Sequence, residues 1–227
     1  MPISHRLLLP AVLSMTAGAV DIIGFIALGV FTAHITGNLV ILAAHYVTGR
    51  FGEIGPILSV PVFMFVLGVV TLAFVAKPAA IARRALLVLQ AFLLAAFLGF
   101  GVGFSPFSDL ESPMAVFVGM LGVAAMAIQN ALVRLALPGA PSTAVMTTNV
   151  TQFTVDLATL IRGRGQQTDL SQVRSRADVT LTSVLGFVVG LVLGAILEIH
   201  LGLWSLIFPV ILSALSVPLA ERWDVVE

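Results

Sequence analysis

Residues 31–50 read FTAHITGNLVILAAHYVTGR, and residues 142–163 read STAVMTTNVTQFTVDLATLIRG. Shifting the first stretch by 111 positions places Thr36 on Thr147, Gly37 on Thr148, Asn38 on Asn149 and Thr48 on Thr159. Each stretch follows a long apolar segment with a polar residue deep inside it: Asp21 in the first case, Gln129 and Asn130 in the second. Each precedes two further apolar segments, and Phe65-Val-Leu-Gly68 resembles Phe187-Val-Val-Gly190. The chain reads as a duplication, and duplicated membrane halves are typical of transporters and channels. The shared T-x-N carries more weight than the shared valines and leucines, because apolar segments resemble one another by chance.

Composition sets the solvent. Of 227 residues, 59% are hydrophobic and 10% charged, and the mean hydropathy is +1.12. A soluble domain carries about 25% charged residues, so this is an integral membrane protein in contact with lipid. The absence of cysteine excludes disulfides, thiolate metal sites and cysteine nucleophiles. No cofactor, metal or nucleic-acid partner is expected. The first residues resemble a secretory signal, but the apolar run continues to Val30, long enough to span and remain in the protein.

Six clear spans follow from hydropathy: residues 7–30, 56–76, 85–104, 113–137, 179–200 and 203–220. Residues 162–178 form the one long polar loop. Placing the two T-x-N segments is a matter of counting basic residues, which favour the cytoplasmic side. If both segments cross, Arg6, Arg50, Arg162, Arg164, Arg174, Arg176 and Arg222 lie inside, and Lys77, Arg83, Arg84 and Arg134 outside, seven to four. If each dips in and returns, all but Arg50 are cytoplasmic, ten to one, and Asp109 and Glu111 lie outside. The expectation is therefore an all-α polytopic membrane protein of six transmembrane helices plus two re-entrant half-helices. Residues 1–104 form a first repeat with its re-entrant segment at 31–50. Residues 105–112 are an extracytoplasmic linker, and 113–220 form a second, inverted repeat with its re-entrant segment at 138–162. Both termini are cytoplasmic.

Thr36 and Thr147 stand where an N-cap belongs, just before each half-helix. The first-turn N–H groups and the positive dipole end of each helix then face the protein centre, a setting suited to a small anion or polar neutral solute. Asn149, Gln152 and Asp156 share one helix face at i, i+3 and i+7, and Asn38 and His45 share one at i and i+7. The expected solute site is Thr36, Gly37, Asn38, Thr147, Thr148, Asn149, Gln129 and Gln152. Asp21, His45 and Asp156 are candidates for ion coupling, Asp21 foremost, because a mid-span carboxylate is costly without a role. His34, in the descending arm, has the side chain that titrates near neutral pH. The competing reading is that these polar groups hold helices together inside the bundle. Gly186, Gly190 and Gly194 form a close-packing ladder, within the subunit or as a homodimer surface on residues 179–200. Trp204 and Trp223 read as interface anchors.

The run AGAVDIIGFIALGVFTAHITGNLVILA, with its G-x-x-D-x-x-G-F and T-G-N, resembles the YoaK family of bacterial integral membrane proteins. MAIQNALVR followed by STAVMTTNVTQFTVDL resembles that family's second motif. The resemblance implies a bacterial inner-membrane protein and transfers no substrate or catalytic residue. Two functions remain open from the residues: a small-solute transporter or channel, and a membrane-embedded enzyme acting on a lipid or lipid-linked substrate. In the enzyme, Asp21, His45 and Asp156 would be the acid–base groups. No H-E-x-x-H or G-x-S-x-G motif supports the enzyme, and no catalytic residue is assigned. A third class is a membrane scaffold or partner subunit.

Overall fold

A computed structural model describes residues 4–49, 54–163 and 169–221. Arg50, Arg164, Arg222 and Trp223, used above for topology and anchoring, lie outside them, as do the side chains of His5 and Arg6. The described residues form helices α1 (Ser4–Leu28), α2 (Ile35–Val47), α3 (Ile54–Phe74), α4 (Ala79–Phe104), α5 (Pro113–Ala136), α6 (Met146–Arg162), α7 (Leu170–Leu201) and α8 (Ile207–Glu221). A 3-10 turn, Gly202–Leu206, joins the last two.

This is an all-α polytopic membrane bundle. Among the described residues, five stretches are long and apolar enough to cross a membrane, with residues 170–221 counted as one. The sixth expected span is divided between the 3-10 turn and the 15 residues of α8. Helix α7 also begins earlier than hydropathy predicts. Asp169 caps it by accepting the Ser171 N–H at 2.9 Å, so the second half of the expected polar loop is helical. Polarity marks where a span meets water; it does not mark where a helix ends.

The packing partners exchange between halves. Helix α1 packs on α7 and α5 on α3; α4 packs on α5 and α8 on α1; α2 packs on α3 and α6 on α7. Replacing each helix by the one four places along reproduces the same set.

Register shows which ends lie together. A Cβ on Gly186, Gly190 or Gly194 would run into Ala11, Met15 or Ala19 in turn, so α1 and α7 are parallel and in backbone contact. The glycine ladder thus faces α1 within the chain, and the homodimer surface expected on it is already covered. Arg83 donates to the Ala136 carbonyl at 3.0 Å, setting the start of α4 beside the end of α5. Gln129 donates to the Leu13 carbonyl at 2.9 Å, bringing that end of α5 to the amino-terminal part of α1. Lys77, Arg83, Arg84, Arg134, Arg174 and Arg176 are therefore grouped toward one end of the bundle. At the other end, the Ile54 N–H donates to Glu111 at 2.5 Å, and Gly29 lies beside Leu110.

Candidate functional site

The residues ahead of α2 and α6 are not helical, and inside an apolar bundle their backbone groups need partners. Side chains supply them. Ahead of α2, Asp21 Oδ1 accepts the N–H groups of Ala33 at 2.7 Å and His34 at 3.2 Å. Its Oδ2 lies 2.6 Å from His34 Nδ1. Asn38 Oδ1 accepts the Phe31 N–H at 2.8 Å, while Nδ2 donates to the Phe31 carbonyl at 2.7 Å and to Ser59 Oγ at 2.8 Å. Gly24 makes room for the arm: a Cβ there would sit 2.7 Å from the Thr32 methyl and 3.1 Å from the Val30 carbonyl. Asp21, Gly24 and Phe25 of G-x-x-D-x-x-G-F thus receive this arm, while Gly18 faces α7.

The second arm repeats the device with different side chains. Asn149 Nδ2 donates to the Ser142 carbonyl at 2.6 Å, and Ser142 is the residue equivalent to Phe31 under the shift of 111. Ser142 Oγ accepts the N–H groups of Ala144 at 3.4 Å and Val145 at 3.0 Å. Gln129 donates to Thr143 Oγ1 at 2.8 Å and accepts from Gln90 at 2.6 Å, tying α4, α5 and the arm together in the buried core.

The threonine caps are not formed. Helix α2 is capped at His34 and α6 at Val145, neither through a side chain, and Thr36 and Thr147 each lie two residues beyond the cap. Asp21 and Ser142 already hold the donors in front of each helix, so the threonine hydroxyls are not drawn there. Thr36 is exposed, and the Phe31 ring packs over Gly37. Asn38 is fully buried with its amide oxygen and both its N–H groups engaged. The first hook is closed on itself.

The second hook is open. A groove of about 770 Å³ lies between the end of α5, residues 137–142, α6 and the start of α7. Of the expected site residues it gathers Thr148, Asn149 and Gln152, and adds Asn130, Arg134, Gln172, Ser175, Arg176 and Thr180. Thr36, Gly37, Asn38, Gln129, His45 and Thr147 do not line it. Asp156 lies behind Gln152, its side chain 1% exposed, held by Arg176 through Nε–Oδ2 at 2.9 Å and Nη2–Oδ1 at 2.5 Å, and by Gln152 at 2.9 Å. This clasp joins α6 to α7 at the mouth of the groove. Arg134 and Arg176 were legible only as topology markers, and Thr180 carried no signal, being one hydroxyl in a run of apolar and polar residues.

Neither the curated proteins nor the solved structures contain a match. A family model described as a protein of unknown function, DUF1275, matches residues 9–219. That match takes in both arms, both T-x-N helices and all but the outermost residues of the first and last helices, and the chain, a multi-pass membrane protein, belongs to this family.

Proposed function

We propose that the protein moves a small polar solute across the membrane by way of the groove beside α6. The observation that carries this is a groove of about 770 Å³ in which Asn130, Arg134, Thr148, Asn149, Gln152 and Arg176 stand among apolar side chains, in a chain whose mean hydropathy is +1.12. Within a bilayer, polar backbone and side chains are tolerated where they are paired or border a water-filled cavity. The first hook meets the former condition and the second the latter.

The accompanying topology is an inverted repeat. Gly29 and Ile54, on either side of α2, both lie near Leu110 and Glu111, and the end of α5 and the start of α7, on either side of α6, both lie at the basic end. Helix α2, with 13 residues, is about 20 Å long against a core of about 30 Å. In this reading α1, α3, α4, α5, α7 and α8 cross, α2 and α6 are re-entrant from opposite faces, and both termini and the groove are cytoplasmic. Asp21, whose Oδ2 lies 2.6 Å from His34 Nδ1, is the coupling candidate. The lipid-enzyme reading needs Asp21, His45 and Asp156 to converge, whereas Asp21 is engaged with the first arm and Asp156 with Arg176.

The test uses purified protein in liposomes and stopped-flow swelling with small carboxylates, amides and polyols. Flux above that of protein-free liposomes is expected for at least one class. It should be blocked when the single cysteine of Thr148→Cys is modified by a maleimide. Swelling no faster than the protein-free control across the panel would remove the transport reading.

A further inference from the structure

The two hooks differ in charge at the amino end of their helices. Ahead of α2, the chain's own carboxylate, Asp21, faces the positive helix end and holds the N–H groups of Ala33 and His34. Ahead of α6, the corresponding groups of Ala144 and Val145 meet only the neutral hydroxyl of Ser142, and the first turn of α6 has no acidic residue. Gln129, the polar residue of the second long segment, turns to Leu13 and Thr143 instead.

The groove at this helix end carries a cation without a counter-charge. Arg134 lines it and forms no ion pair among the described residues, whereas Arg176 is already neutralised by Asp156. A second, independent feature is Thr180. Its residue is 3% exposed, it lines the same groove, and its hydroxyl meets no partner among the described residues. Its hydroxyl, opening onto the groove from a residue otherwise buried, takes its hydrogen-bond partner from whatever fills the groove. Asn149, also 3% exposed, donates to Ser142 and Met146, and its Oδ1 accepts from no described residue.

We infer that the amino end of α6, with Arg134 and Thr180, binds a small carboxylate, which takes on the second hook the place Asp21 takes on the first. The guanidinium and helix end meet the negative charge, and the Thr180 hydroxyl donates to a carboxylate oxygen. A hydroxyl beside the carboxylate would donate to Asn149 Oδ1, so glycolate is the probe and glycolamide its uncharged counterpart. The inference deepens the transport reading by naming the solute class, and it rests on the groove being the solute's point of entry.

The experiment titrates the full chain in phosphatidylcholine nanodiscs by calorimetry and, in parallel, follows glycolate uptake into liposomes. Saturable binding of glycolate is expected, with glycolamide binding at least tenfold more weakly. Arg134→Gln and Thr180→Val should each weaken glycolate about ten- to a hundredfold, the effect of one hydrogen bond to a charged group. Arg84→Gln, on an outward strip of α4 at the same end, should leave it unchanged. Glycolamide binding as tightly as glycolate, no saturable glycolate binding, or wild-type affinity in both groove variants would overturn the inference. The wild-type comparison of the two probes decides the matter even if a variant fails to fold. Glycolate binding without uptake would keep the carboxylate site and remove transport of it. Flux of a neutral solute without glycolate binding would do the reverse.

Discussion

Replacing Gly190 with alanine tests how α7 is held to α1. The added Cβ would sit 2.1 Å from the Met15 carbonyl oxygen, 2.9 Å from its carbon and 3.0 Å from Cα. A carbon needs about 3.3 Å from such an oxygen, so the helices must part locally by about 1 Å. The obstructing atoms are backbone and have no rotamer to escape into. The neighbours allow no tilt either, because a Cβ at Gly186 would lie 2.5 Å from the Ala11 carbonyl oxygen and one at Gly18 2.3 Å from that of Phe187. Overpacking of this kind costs about 1–3 kcal/mol, and with only backbone to displace the upper end applies. Alanine returns about 1 kcal/mol of helix propensity, leaving a net loss of about 2 kcal/mol. Gly68 closes the matching F-V-x-G tetrapeptide, yet it is exposed and a Cβ there meets nothing within 4 Å. Gly68→Ala should therefore gain up to about 1 kcal/mol. Unfolding in mixed micelles, followed by circular dichroism, should separate the two variants by about 3 kcal/mol in opposite directions from wild type. Equal stability of Gly190→Ala and Gly68→Ala would refute the backbone-contact argument.

Asn38→Ala should destabilise more than Asn149→Ala, because it strands both backbone groups of Phe31, each worth about 1–3 kcal/mol when buried without a partner, while the Ser59 hydroxyl keeps its bond to the Pro56 carbonyl. The same unfolding assay checks the order, and a reversed order would restore a binding role to Asn38. Arg176→Gln should cost about 1–2 kcal/mol by stranding Asp156, toward the low end because the arginine side chain is 57% exposed. The Asp156→Asn/Arg176→Gln double variant should recover much of this, as a double-mutant cycle would show. Asp21→Asn keeps an acceptor for Ala33 and His34 and should fold, whereas Asp21→Ala should lose about 1–3 kcal/mol for each buried N–H left unpaired. If proton-coupled flux survives Asp21→Asn undiminished, Asp21 is structural alone.

Much of this fold was legible because duplication and hydropathy are one-dimensional signals. The asparagine of each T-x-N reaches back seven residues to the arm, so equating Asn38 with Asn149 equated a real contact. Asp21 and Gln129 were legible as mid-span polar residues, and each does engage its arm. The difference between the hooks was not legible. It depends on Ser59, which closes Asn38 from another helix, and on Thr180 and Arg134, which border the open groove from two more. Such pairings arise from packing between segments distant in sequence, and no spacing rule encodes them. The start of α7 was missed for a related reason: a helix continuing into water keeps its backbone bonds while losing its apolar signal.

The polar motifs also separate what builds the site from what acts in it. An arm without helical hydrogen bonds inside an apolar bundle leaves donors and acceptors exposed to a medium that cannot solvate them. The residues that first attract attention, Asp21, Asn38, Ser142 and Asn149, meet that need through bonds to Phe31, Ala33, His34, Ala144 and Val145 and to the Ser142 carbonyl. In the proposed topology they let a helix begin in the interior, with its positive end directed inward. Chemistry becomes available where that construction leaves capacity over. In the first hook, Asp21 supplies the counter-charge, and the amide of Asn38 is fully engaged. In the second, a neutral serine stands in for the carboxylate, and Asn149 Oδ1, Thr180 and Arg134 face an open groove. A substitution that closes the second hook as the first is closed should therefore abolish carboxylate binding while preserving the fold. Gln129→Asp cannot test this, because the amide it removes ties α5 to Leu13 and Thr143. Thr148→Asp can, since it places a carboxylate in the groove on the first turn of α6, where the helix end and Arg134 favour it. Stability equal to or above wild type together with loss of glycolate binding is the expected result. Undiminished glycolate binding to a folded Thr148→Asp protein would place the anion elsewhere.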